Sequence, residues 1–315
     1  MKTNFLVLGG TGFVGRSVCE RLVERSGGGR LVVPTRRLGH GAALRPLPSL
    51  ELVEADIHDD AQLAHLVAGA DAVIQLVAIL HGSAADFRRV HVELPTRVAR
   101  ACVAAGTRRL IHVSALGAAA DAPSNYLRSK AEGEAALKAA GLDLTLLRPS
   151  VIFGVEDHFL NLFARLQAVT PLVPLAGAAA RFQPVWVEDV ASAIVRCLDD
   201  DRSIGATYEL AGPSTYSLAD LVRMAGRWSG HERPVLPLPG WAGRLQALAF
   251  ECLPGQPLMS RDNLESMRVP NVAGGQLPGF EALGIKPAAL EAVVPSYLGG
   301  EAGCGRLERW RAERA

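Results

Sequence analysis

The chain carries almost no net charge. Its 33 Lys and Arg stand against 32 Asp and Glu, a balance of +1 over 315 residues. So neutral a surface has no broad positive field for a phosphate backbone, which sets nucleic acid aside as a partner. Long apolar runs are also missing. No stretch approaches the roughly 20 residues of a membrane span, and Met1-Lys2-Thr3-Asn4 leads straight into a strand pattern, so no secretory signal is expected. Cysteine is sparse: Cys19, Cys102, Cys197, Cys252 and Cys304, with no Cys-x-x-Cys pair. These read as reduced structural thiols of a cytoplasmic protein. No His, Cys and carboxylate cluster has ligand spacing, so no metal is expected. There are no internal repeats.

What is present is concentrated in Leu6-Val7-Leu8-Gly9-Gly10-Thr11-Gly12-Phe13-Val14-Gly15. An apolar strand pattern stops at a glycine cluster, and a helical pattern begins at once. Gly9 permits a sharp turn off the strand, Gly12 a close approach of backbone to a pyrophosphate, and Gly15 tight packing of helix on sheet. The helix start, from Thr11 through Phe13 and Val14, offers free N–H groups and positive potential to phosphates. The alternative is a tight strand-to-helix turn with no ligand.

Strand patterns at 5–8, 31–33, 50–53, 72–76, 109–113 and 142–147 alternate with helical ones at 13–25, 60–68, 86–105 and 126–140. Pro95 is expected to kink the third helix. Continuously apolar strands separated by helices imply an α/β fold with a doubly wound parallel sheet, in which ligands bind beyond the carboxyl ends of the strands. Past residue 155, prolines become frequent and helical pieces near 157–168, 188–199, 217–229, 242–252 and 260–267 alternate with irregular chain. The expected division is a dinucleotide-binding domain over 1–155, with strands returning from about 180–212, a smaller α/β lobe over 156–300, and a polar tail over 301–315.

The second strand ends Val33-Pro34-Thr35-Arg36-Arg37, where an NAD-binding chain usually carries a carboxylate for the ribose 2′-hydroxyl. Arg36 and Arg37 suit a 2′-phosphate instead, so NADP(H) is expected over NAD(H). Solvated surface charge is the alternative. Asp56 and Ile57, after the third strand, are placed beside the adenine, with Asp56 accepting from its amino group. Leu76-Val77-Ala78, after the fourth, would pass under the adenine ribose.

Tyr126 and Lys130 stand four apart at the start of the helix after the fifth strand, on one helix face. The ammonium is expected to lower the phenol pKa, letting it exchange a proton with a carbonyl or alcohol during hydride transfer. Lys130 could also bond a nicotinamide ribose. Val113 and Ser114 close the preceding strand. The alternative is a phenol that only bonds the ribose or steadies a loop.

With these motifs, Leu147-Arg148-Pro149-Ser150-Val151-Ile152-Phe153-Gly154 and Trp186-Val187-Glu188-Asp189-Val190-Ala191, the chain resembles the extended short-chain dehydrogenase/reductases over about residues 3–230. A narrower resemblance rests on five segments. They are Val113-Ser114-Ala115-Leu116-Gly117-Ala118, Ser124-x-Tyr126-x-x-Ser129-Lys130-Ala131-x-Gly133-Glu134, the Arg148–Gly154 segment, Phe182-Gln183-Pro184-Val185, and Asn263-Leu264-x-Ser266-Met267. It is to the atypical subgroup containing the nucleotide-binding accessory subunit of respiratory complex I and its bacterial relatives.

That resemblance implies NADP(H) held tightly in a structural or redox-sensing role, with Pro149, Ser150, Val151 and Ile152 on the nicotinamide side. It also implies a respiratory-chain or quinone-pathway partner, and a cytoplasmic location peripheral to the inner face of the membrane. Beside Tyr126, Lys130 and Ser114, the full catalytic set has an Asn and a Ser or Thr where His91 and Leu116 align here. A reacting carbonyl would lack a donor, which favours weak or no turnover. The alternative is an active NADPH-dependent oxidoreductase or sugar-nucleotide epimerase or dehydratase; against the epimerase, the smaller lobe shows no basic cluster that clearly cradles a nucleotide diphosphate. The apolar segment Trp241–Leu253 reads as packing of that lobe, with a membrane or partner face as the alternative.

Overall fold

A computed structural model describes residues 3–25, 29–253, 255 and 257–299. The expected tail at 301–315 and Cys304 lie outside them. Chain contacts divide the protein into two units. The first holds the described residues through Pro149, ahead of the boundary expected at 155, together with Val187–Leu210 and Gly274–Lys286.

Its centre is a seven-stranded sheet: β1 (Phe5–Leu8), β2 (Leu31–Thr35), β3 (Leu50–Glu54), β4 (Ala72–Gln75), β5 (Arg109–Val113), β6 (Asp143–Pro149) and β7 (Thr207–Leu210). The order is 7-6-5-4-1-2-3 and every pairing is parallel. This is the doubly wound sheet expected. The chain direction across it reverses between β1 and β4, which opens a crevice at their carboxyl ends.

Helices α1 (Phe13–Glu24), α2 (Asp60–Val67), α3 (Ala84–Arg88), α4 (Leu94–Ala105), α5 (Asn125–Lys138) and α6 (Val187–Asp199) cover it. Side chains alternate between the faces of a strand. Leu6 and Leu8 of β1 therefore join one core layer with Leu63 and Leu66 of α2, Leu94 and Val98 of α4, and Leu137 of α5. On the other face α1 packs against α6, burying Val18, Leu22, Val190 and Ile194. Arg21 of α1 reaches Glu188 in the first turn of α6 at 3.0 Å.

The second unit comprises Ser150–Trp186, Ala211–Ala273 and the described residues from Pro287. Its strands are short ladders: Ile152–Phe153 beside Val185–Trp186, Arg181–Phe182 beside Tyr216–Ser217, and Val173–Leu175 beside Val235–Pro237. Phe153, Leu160, Phe163, Leu175, Leu221 and Val294 form its core. Among the described residues, no helix is long and apolar enough to cross a membrane and no His, Cys, Asp and Glu group could hold a metal.

Candidate dinucleotide site

The glycine loop joins β1 to α1 at the switch point. Gly9 has φ +88°, a left-handed conformation that favours glycine, and sits against Val77 after β4. A Cβ on Gly15 would lie 2.2 Å from the Gly9 carbonyl oxygen, so only glycine lets α1 start this close to the loop. The start of α1 also lacks what other helices have. Asp59 caps α2 and Ser124 caps α5 through their side chains, whereas Gly12 caps α1 with none and the first turn holds no acid. The backbone donors of Phe13 and Val14 thus keep the positive end of the helix available to an anion. Thr11 turns its carbonyl to the Arg16 guanidinium at 3.3 Å.

Arg36 and Arg37 follow β2, both exposed. Thr35 Oγ1 donates to the Arg37 carbonyl at 3.0 Å and shapes this turn. Among the described residues neither guanidinium has a carboxylate partner, so both forks remain open to a phosphate. Asp56, exposed after β3, accepts from the His58 N–H at 3.0 Å, and Ile57 packs into the core below. After β4, Leu76 N–H donates to Leu8 O at 2.9 Å and Val77 N–H to Gln75 Oε1 at 3.3 Å. These bonds hold the Leu76-Val77-Ala78 segment beside the glycine loop.

At the end of β5, Lys130 is buried on α5 and its Nζ donates to the Val113 carbonyl at 2.9 Å. Burial pushes the ammonium down to about 8, with Glu134 opposing. Tyr126, one turn earlier, stands edge-on to His91 at 5.4 Å and to Phe87 at 6.0 Å. Burial among these rings pushes its phenol up to about 12. The lowering expected from Lys130 is therefore corrected: desolvation dominates, and the ammonium turns one N–H to a backbone carbonyl.

His91 sits on a π-helical turn, Arg89–Glu93, between α3 and α4. Its Nε2 accepts from the Ile79 N–H at 3.1 Å, which fixes the proton on Nδ1. Nδ1 then donates to Ser129 Oγ at 2.9 Å, and Ser129 donates to the Tyr126 carbonyl at 2.8 Å. Burial, then the Lys130 charge, push the imidazole down to about 3, so it is neutral. Leu116 is buried, its N–H given to the Pro149 carbonyl at 3.0 Å. The Ser114 hydroxyl is buried with no hydrogen-bond partner among the described residues. It is an unused donor at the carboxyl end of β5.

Glycine loop, open arginine turn and Tyr/Lys helix all lie along one edge of the parallel sheet, the edge where a dinucleotide binds in this architecture. A family profile described as NAD(P)H-binding matches residues 9–201, from the loop through α6. The chain belongs to this NAD(P)H-binding family.

Within the family it is similar to mitochondrial NADH dehydrogenase [ubiquinone] 1 alpha subcomplex subunit 9 of Mus musculus. The two are 34% identical over 296 residues, covering 90% of this chain and 77% of that protein. The NADH-ubiquinone oxidoreductase 40 kDa subunit of Neurospora crassa is 28% identical, covering 93% and 78%. Among solved structures, the dTDP-glucose 4,6-dehydratase of Streptomyces venezuelae with NAD bound aligns with a TM-score of 0.73. It is 20% identical and covers 98% of this chain and 97% of that one, a likeness of fold.

In the second unit, Ser150 Oγ donates to Asn271 Oδ1 at 2.6 Å and Val151 N–H to the same oxygen at 2.9 Å. Ile152 pairs with Val185 in a ladder. Arg181, Arg244, Arg261 and Arg268 line a single cavity, a grouping invisible in the sequence because its members are spread over 88 positions of chain. One sequence reading of this unit is overturned: Trp241–Leu253 is not ordinary packing, because Trp241, Leu245, Leu248 and Leu253 are exposed.

Proposed function

We propose that this NAD(P)-binding chain retains NADP(H) as a resident group, in a structural or redox-sensing role with weak or no turnover. Gly9, Thr11, Gly12, Phe13, Val14 and Gly15 would hold the diphosphate and Arg36 and Arg37 the 2′-phosphate. Asp56 and Ile57 would border the adenine, and Leu76, Val77 and Ala78 its ribose. Val113, Tyr126, Lys130 and Pro149 fall to the nicotinamide half. NADP(H) bound there would supply hydride-exchange chemistry.

The observation that carries the reading is the engagement of the polar groups around Tyr126. Both His91 nitrogens are committed to internal bonds, the Lys130 ammonium gives one of its N–H groups to the Val113 carbonyl, and Leu116 offers no donor. A reacting carbonyl would then meet a phenol reluctant to ionise and one serine hydroxyl, too little polarisation for fast hydride transfer. The similarity to complex I subunits supports association with a respiratory-chain or quinone-pathway partner at the inner face of a membrane.

The second reading, an active NADPH-dependent reductase of the extended short-chain type, is favoured by Tyr126 standing one turn from Lys130. The two separate on one experiment. NADPH oxidation is followed with short aldehydes and a water-soluble quinone, in the wild type and in Tyr126→Phe. The structural reading predicts oxidation at or barely above the protein-free rate in both, with NADPH still bound by the variant. Turnover that disappears in Tyr126→Phe would establish the reductase.

A further inference from the structure

A cavity of about 1370 Å³ lies wholly within the second unit. Its floor is the small-residue run Ala176–Ala180 and one wall is the helix Gly240–Glu251. A Cβ on Gly243 would come within 2.8 Å of the Ala176 Cβ, so this glycine sets the helix directly on the floor. Of the whole helix only Gly243 and Ala247 are buried. Trp241, Leu245 and Leu248, at i, i+4 and i+7, form one stripe along the cavity and remain 71%, 59% and 42% exposed.

The charge beside this stripe is unbalanced. Arg244 and Arg268 share one carboxylate, Glu265, at 3.2 and 2.8 Å, and Arg261 pairs with Glu251 at 2.8 Å. Arg181, exposed on the lining, has no carboxylate partner among the described residues. Four guanidiniums against two carboxylates leave an excess of two positive charges on an otherwise apolar cavity. That matches a phosphate monoester, whose charge near neutral pH is about −1.5 to −2 and whose oxygens fit the guanidinium fork. The volume exceeds the roughly 300–1,000 Å³ of pockets for drug-sized ligands. A nucleoside diphosphate would use the arginines but leave the Trp241–Leu248 stripe in water.

We propose that this cavity binds a single amphiphile: a lipid whose acyl chain lies along Trp241, Leu245 and Leu248 and whose phosphate headgroup meets the arginines, Arg181 first. The site stands on the second unit alone and does not depend on the nucleotide reading.

Calorimetric titration of the full chain with oleoyl lysophosphatidic acid, below its micelle concentration, tests it. Monooleoylglycerol supplies the chain without the phosphate, and glycerol phosphate and thymidine diphosphate supply the phosphate without the chain. One lyso-lipid per protein is expected, with monooleoylglycerol about tenfold weaker or worse and the two chainless phosphates weaker still. Arg181→Glu should weaken the lyso-lipid about tenfold and leave monooleoylglycerol unchanged, while Leu245→Asp should weaken both. Both side chains are exposed, and circular dichroism checks that each variant is folded. The proposal is overturned by no lyso-lipid binding, or by chainless phosphates binding as tightly. It is equally overturned by indifference to Arg181→Glu, or by sedimentation with phosphatidic acid vesicles without uptake of the free lyso-lipid.

Discussion

In the proposed NADP(H) reading, nucleotide choice turns on Arg36. It stands exposed after β2, where a carboxylate would bond a ribose 2′-hydroxyl, and among the described residues no carboxylate neutralises it. A charge-assisted bond to a 2′-phosphate is worth about 1.5–3 kcal/mol, roughly a ten- to hundredfold change in affinity. Fluorescence titration of Arg36→Asp should therefore show NADPH loosened about tenfold or more and NADH little changed. Equal losses would remove the NADP(H) assignment. This arginine was legible in the sequence because its position follows from strand and glycine spacing alone. The state of Tyr126 was not. Four-residue spacing places Lys130 on its helix face, but whether the ammonium faces the phenol or a carbonyl is decided by three-dimensional neighbours. Here Val113 O takes it, and the phenol is pushed up rather than down.

At the scale of elements, the helix pattern over 86–105 hides a break. A kink is expected at Pro95, yet the irregularity lies before it, in the π turn Arg89–Glu93 that separates α3 from α4. Pro95 has no N–H for the carbonyl of His91, four residues back inside that turn, and its ring crowds that oxygen, so the disturbance falls one turn ahead of the proline. Helix α5 packs against the same turn: a Cβ on Gly133 would lie 1.9 Å from the His91 carbonyl oxygen, an approach no periodicity reveals. The turn also holds His91 neutral, with a pH consequence. Its pKa falls from 6.5 to about 3 on folding, so between those values the unfolded chain takes up a proton that the native imidazole refuses. Its contribution therefore lowers stability as pH falls below 6.5 and is absent above it. Urea unfolding at about pH 7 and about pH 5 should show His91→Gln less stable than the wild type at the higher pH but losing less on acidification. Parallel losses in the two proteins would contradict this account.

The whole molecule interleaves its two units along the chain. The return of β7 to the sheet was readable from Thr207-Tyr208-Glu209-Leu210, and it pairs in parallel with β6. The later return of Gly274–Lys286 to the first unit was not, because it rests on single bonds rather than a pattern. Glu209 accepts from the Gly274 N–H at 2.6 Å and donates its own N–H to the Pro278 carbonyl at 2.9 Å. The parallel sheet and glycine loop were legible because they depend on local periodicity and spacing; the arginine-lined cavity was not, because it gathers residues from distant segments. The central claim, a chain that keeps NADP(H), is tested most directly by denaturing freshly purified protein and identifying and counting the released nucleotide by mass spectrometry. The account predicts close to one NADP(H) per chain. Release of NAD(H) instead, or of no nucleotide, would contradict it.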